Sequence, residues 1–186
     1  MPTPDETRLP NRHTKSQETK MATKPKAVTP DFTSVLDTPS TEVARPKALA
    51  QGTYVWMVKG LPRIDKSAKK GTEFSEYTLQ CMDACEDVDT DGLKFSLTKA
   101  SGEITPLTER SVRYTLYHTE DALWRLKQFL DHCQIPDEDD EGNVRSIRER
   151  MQDVPGKIIL GHIKHSPSED GETMYANVDK TAKYES

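Results

Sequence analysis

The chain has 186 residues and no apolar run of the roughly 20 residues that a membrane-spanning helix needs. Its opening stretch, MPTPDETRLPNRHTKSQETK, lacks the apolar core of a secretory signal, so none is expected. Cysteine is scarce: three residues, an odd number, argue against a disulfide framework and fit a reducing cytoplasm. Apolar residues make up 33% of the chain and the mean hydropathy is -0.79, too little for the whole length to pack one core. Part of the chain is therefore expected to be disordered. Catalytic motifs are missing too. Pro155-Gly156-Lys157 is no phosphate loop, because Met151 stands where the first glycine belongs and Ile158 where Ser or Thr would hold magnesium. Neither G-x-S-x-G nor H-E-x-x-H occurs. A non-enzymatic protein without cofactor is expected.

Charge is present but uneven. Residues 1–50 hold 8 Lys+Arg against 6 Asp+Glu, and residues 51–186 hold 18 against 25, or -7. A domain this acidic exerts no global pull on nucleic acid, so any phosphate contact must be local. The strongest local excess lies in GLPRIDKSAKKGTEF, residues 60–74, with Arg63, Lys66, Lys69 and Lys70 and with Lys59 just before it.

Residues 1–50 are rich in Pro, Thr, Ser and Lys, show no lasting period and read as a disordered arm. Met21 opens MATKPKAV and is an alternative start. Within the arm, DFTSVLDT at 31–38 places Phe32, Val35 and Leu36 at helical spacing, as a short docking helix or a nascent turn. Order is expected over 51–186. There, QGTYVWMVKG alternates, with Tyr54, Trp56 and Val58 on one face; EFSEYTLQCMDAC follows, with Tyr77, Leu79 and Cys81 inward. Together they predict a long hairpin. A short strand is expected at 93–97. SVRYTLYHT alternates again, with Val112, Tyr114 and Leu116 inward. The period then turns helical in TEDALWRLKQFLDHC, where Leu123, Leu126, Leu130 and Cys133 form a stripe joined by Ala122 and Phe129, with Thr119 as N-cap. An exposed acidic loop at 137–141 precedes a second short helix over 144–154, carried by Val144, Ile147, Met151 and Val154. KIILGHIKH, a turn at SPSEDGE and TMYANVDKTAKY make a closing hairpin. The prediction is a small α+β fold on a curled antiparallel sheet, with one or two helices inserted before the last hairpin.

Two sets of residues bear on chemistry. Cys81, Cys85, His132 and Cys133 hold zinc-ligand residue types, but an adjacent His-Cys pair has a poor bite for one tetrahedral ion. Cys81 and Cys133 also fall on core faces, so buried thiols and no metal are expected. His162 and His165 lie on opposite faces of one strand. The second set fits single-stranded nucleic acid, which is held by exposed aromatics for the bases and cations for the backbone. The outward candidates are Phe74, Arg113, Tyr117, Lys164 and Tyr175, with Arg63, Lys66, Lys69 and Lys70 of the basic connection. Tyr54 and Trp56 sit at strand centre and read as core. Two readings of the connection stand: phosphate contacts, or a charged hairpin guarding a sheet edge.

RPKALAQGTYVWMVKGLPRIDKSAKKGTEFSEYTLQ, TEDALWRLKQFLDHC, VPGKIILGHIKH and DGETMYANVDK resemble a group of phage-encoded proteins that includes single-stranded DNA-binding proteins of OB-like fold. The resemblance runs from about residue 31 to 184. It implies an OB-like barrel, single-stranded DNA as ligand, phage or host replication and recombination proteins as partners, and the host cytoplasm as location. Many such binders end in an acidic tail; this chain ends DKTAKYES and carries its acidic run internally, at 137–141, leaving open whether that loop recruits partners. The rival expectation is a phage protein–protein adaptor or structural accessory protein.

Overall fold

Alternating side chains set the first strand. In β1 (Gly52–Val58), Tyr54, Trp56 and Val58 are fully buried, while Thr53, Val55 and Met57 are only half-buried. The structure, a computed structural model, describes residues 46–169 and 171–185. The expected arm up to residue 45, with its candidate helix at 31–38, lies outside the described residues. Leu49 and Ala50, just ahead of β1, pack into the core, and His165 Nε2 lies 2.6 Å from the Leu49 carbonyl oxygen.

Five further strands follow: β2 (Arg63–Lys66), β3 (Glu73–Ala84), β4 (Ser111–Tyr117), β5 (Ile158–Pro167) and β6 (Met174–Lys183). All pair antiparallel. β3 has partners on both edges. One edge takes β2 near its start (Asp65 opposite Phe74) and β1 near its end (Val58 opposite Leu79). The other edge takes β4, with Phe74 opposite Tyr117 and Gln80 opposite Ser111. β5 pairs with the second edge of β1, and β6 with β5. The order is β4-β3-β1-β5-β6, with β2 continuing the line of β1. Register shifts at Val55/Trp56 and at His162/Ile163 leave Met82 and Asp179 as extra residues, and such bulges add bend and twist. The result is a curled, unclosed, OB-like sheet in an α+β fold, with β4 and β6 facing each other across a seam that no ladder closes.

Among the described residues, three helices fill in around it. α1 (Thr90–Leu97) replaces the strand expected at 93–97. Leu93, Phe95 and Leu97 do alternate, but the Asp89 side chain caps the Gly92 amide, and Leu93 and Leu97 pack on the core at helical i, i+4 spacing. Phe95, left outside, lies under the Lys47 ammonium, 3.7 Å from its ring centre. α2 (Leu123–His132) buries Leu126, Phe129 and Leu130, and Phe129 packs on Tyr77 and Tyr114 at ring-centre distances of 4.6 and 5.4 Å. It starts later than expected. Thr119 is not its cap: its carbonyl closes a turn onto the Ala122 and Leu123 amides, and no side chain caps the helix. α3 (Ile147–Arg150) is shorter than the helix read over 144–154, because Ser146 and Glu149 form a capping box that fixes its start. Met151–Asp153 then tightens to a 3-10 turn, and Val144 stays outside, 81% exposed.

The acidic loop is not wholly solvated either. Asp137 accepts a 2.5 Å ion pair from the buried Arg150, whose other nitrogen reaches Asp131 at 2.8 Å and the Ile135 carbonyl at 2.6 Å. Burial opposes ionisation of Asp131, but Arg150 and Lys127 outweigh it and hold that carboxyl below its usual range. This guanidinium clamps the end of α2 to α3.

Within the sheet, Trp56 packs closely on Gly161. Tyr54 pairs opposite Gly161, and a Cβ there would sit 2.7 Å from Trp56 Cδ1, closer than carbon atoms pack. Gly161→Ala should therefore lower unfolding free energy by about 1–3 kcal/mol, the usual range for overpacking a core. Urea denaturation followed by circular dichroism measures this; an unchanged midpoint would contradict the packing.

Candidate nucleic-acid interface

Side chains opposite one another on antiparallel strands share a face. The outer face of β2, β3 and β4 therefore carries three rows: Asp65, Phe74 and Tyr117; Arg63, Glu76 and Thr115; and Thr78 with Arg113. Phe74 and Tyr117 meet edge to face, ring centres 5.9 Å apart at 65°, and Tyr117 is 47% exposed. The sequence marked both, and the pairing of β3 with β4 brings them together.

The basic connection is built differently from its sequence appearance. Its first half is strand β2, so Arg63 and Lys66 alternate across the sheet rather than crowding a loop. Residues 67–72 then turn the chain, with Gly71 at φ 65° donating to the Ser67 carbonyl. Most of its cations have a carboxylate. Arg63 pairs with Asp65, Lys66 with Glu73 at 3.7 Å, and Lys69 with Glu169 of the β5–β6 turn at 3.5 Å. Arg113 pairs with Glu76 at 3.8 Å. Among the described residues, Lys70 and Lys164 have no such partner. The hairpin is thus a charge-alternating surface, not a bare positive patch. Exposed pairs of this kind contribute only about 0–1 kcal/mol, so a phosphate can take the carboxylate's place at small cost.

Lys164 and Tyr175 lie apart from the Phe74–Tyr117 pair, on the outer side of β5 and β6, where Lys164 faces Asn177 and Ser166 faces Tyr175. Tyr54 and Trp56 are core, as read from the sequence. Sequence reading missed Trp124, on the first turn of α2 and 57% exposed. Its position one residue off the Leu123–Leu126–Leu130 stripe was the available signal.

Two clusters suggest chemistry but do not carry it. Ser75 Oγ lies 2.9 Å from His118 Nε2, and His118 Nδ1 lies 4.0 Å from Glu73, in the order of a hydrolytic triad. Ser75 is fully buried and the Glu73 distance is too long for a hydrogen bond, so the trio joins β3 to the end of β4 and offers no reachable nucleophile. The cysteines do not converge: among the described residues no group of three His, Cys, Asp or Glu side chains is placed to hold a metal. Burial pushes the Cys81 and Cys133 thiols up to about 12. No protein-family model matches the chain, and no curated protein matches it.

Thiol chemistry checks this placement. In the native protein at pH 8, an aromatic disulfide reagent should label Cys85 alone, slowly, because its thiol is also raised, first by burial and then by Asp87 and Asp83. All three cysteines should react after denaturation. Rapid native labelling of Cys81 or Cys133 would contradict the buried faces.

Proposed function

We propose that this domain binds single-stranded DNA and does no chemistry on it, as a protein of phage DNA replication or recombination. The observation that carries the reading is the Phe74–Tyr117 pair on the outer face of β3 and β4, Tyr117 exposed and Phe74 half-buried, with Arg63 one row away and Arg113 two. Aromatic faces accept bases of any identity, and flanking guanidinium groups meet the backbone. On OB-like sheets this is a surface that takes oligonucleotides. The β2–β3 connection would add Lys66 and Lys69, by exchanging their carboxylate partners for phosphates, and Lys70. The phage setting rests on the resemblance of the four sequence segments.

The acidity of residues 51–186, at -7, favours a second reading: an adaptor that docks a phage or host protein. Nuclease separates the two, since partners retained after nuclease treatment support the adaptor.

Fluorescence anisotropy with labelled oligo(dT) at two salt concentrations tests the main proposal. Affinity should fall with salt, with a slope of about -0.7 per phosphate contacted. Phe74→Ala with Tyr117→Ala should cost about 1–3 kcal/mol per stacked base, and Lys66→Ala, Lys69→Ala and Lys70→Ala together should flatten the salt slope. Absence of binding at low salt, or binding indifferent to salt, would refute it.

A further inference from the structure

The seam between β4 and β6 holds two adjoining grooves, of about 410 and 690 Å³. Both are lined by Arg113 and Asn177, so one runs into the other. The first adds Lys47, Arg110 and Tyr175 and, among the described residues, is lined by no carboxylate. The second adds Arg125, Lys180 and Trp124, with Asp179, the extra residue of the β6 bulge, as its one acid among the described residues. In a domain with more carboxylates than cations, this concentration of positive charge is anomalous. Two aromatic rings are exposed along it: Tyr175 at 47% and Trp124 at 57%.

Local contacts hold these groups in place. A guanidinium nitrogen of Arg110 donates to the Lys47 carbonyl, fixing the segment ahead of β1 against the start of β4. Arg125 stands 5.4 Å from the Trp124 ring centre, where it adds charge beside the ring's outer surface. Lys180 has no ion-pair partner among the described residues.

We propose that the β4–β6 seam is a second track for single-stranded nucleic acid, with bases stacking on Trp124 and Tyr175 and phosphates meeting Arg113, Arg125 and Lys180. The proposal rests on the nucleic-acid reading above and extends it from the β3–β4 face into the groove. Arg113 joins the two surfaces, since it projects from the same outer face two rows from the aromatic pair, reaches Glu76 of the row between, and also lines both grooves. The alternation of rings and cations along one groove is what favours a nucleic acid over an acidic polypeptide, which has no bases to stack.

Tryptophan fluorescence tests this directly, because Trp56 is fully buried and Trp124 is the exposed one of the two. A long oligo(dT) should quench the emission of the wild-type protein, and Trp124→Phe should remove the quench while leaving the circular dichroism spectrum intact. Arg125→Glu with Lys180→Glu should weaken binding about tenfold for a long oligonucleotide and lower the salt slope by roughly 0.7 for each lost phosphate contact. The same pair of changes should leave a very short oligonucleotide, held on the β3–β4 face alone, almost unaffected. If anisotropy reports binding but emission is unchanged and the charge reversals bind as wild type, the seam is not a track and the β3–β4 reading survives. If poly-glutamate quenches as strongly as the oligonucleotide and displaces it, the groove is a site for acidic polypeptide. If the wild-type protein binds no oligonucleotide, both proposals fall.

Discussion

The sheet hangs on one contact, the Trp56 indole packed against the bare backbone of Gly161. Its Nε1–H donates to the Gly161 carbonyl at 3.0 Å, and the ring occupies the volume any side chain at 161 would need. β1 is the strand shared by both halves of the sheet: β3 and β4 hang from one edge, β5 and β6 from the other. Fixing β1 to β5 at this point sets how tightly the sheet curls, and the curl decides how near the two free edges come. Tyr54, with its ring centre 5.6 Å from that of Trp56 and its hydroxyl donating to the Ala50 carbonyl, carries the same constraint back to the segment that enters β1. Each large buried side chain of this kind contributes about 1.5–3 kcal/mol through burial.

The surfaces proposed to bind nucleic acid follow from that geometry. The outer rows of β3 and β4 exist because Tyr77, Leu79 and Leu116 turn inward and force Phe74, Arg113 and Tyr117 outward. The seam exists because the sheet curls without closing, which leaves β4 and β6 facing each other and lets Trp124 of α2 stand at the opening. The buried Arg150, tied to Asp131 and Asp137, holds the far end of α2. Removing both carboxylates would leave the buried guanidinium without a counter-charge, so this clamp is a constraint on helix position more than a source of net stability. An acidic domain thereby presents cations in restricted places while its carboxylates lie elsewhere or pair with them.

Much of the fold was legible in the sequence because the strands alternate cleanly. The inward sets Tyr54–Trp56–Val58 and Tyr77–Leu79–Cys81 are the buried faces observed, and the switch to helical spacing after Thr119 marks α2. What was not legible depends on capping and on partners distant in sequence. Residues 93–97 alternate like a strand, yet Asp89 and the core contacts of Leu93 and Leu97 make them a helix. The start of α3 is set by the capping box of Ser146 and Glu149, so the apolar spacing of Val144 and Ile147 alone places it too early. Asp137 read as solvated because its partner, Arg150, is brought to it only by folding. The same limit applied to the candidate interface: Phe74 and Tyr117 were marked individually, but the pairing of Lys69 with Glu169 and the meeting of Arg113 with Tyr175 along one groove arise from tertiary approach, not from spacing.

The central claim is that an acidic OB-like domain holds a single strand on a defined outer surface. Hydrogen–deuterium exchange with and without saturating oligo(dT) at low salt tests it most directly, because it locates the contact without assuming which residues make it. Slowed exchange in peptides covering the start of β3, β4, the first turn of α2 and the seam edge of β6, with residues 137–144 unchanged, is the result this account predicts. Protection confined to the 137–144 loop, or none anywhere in the presence of bound oligonucleotide, would contradict it.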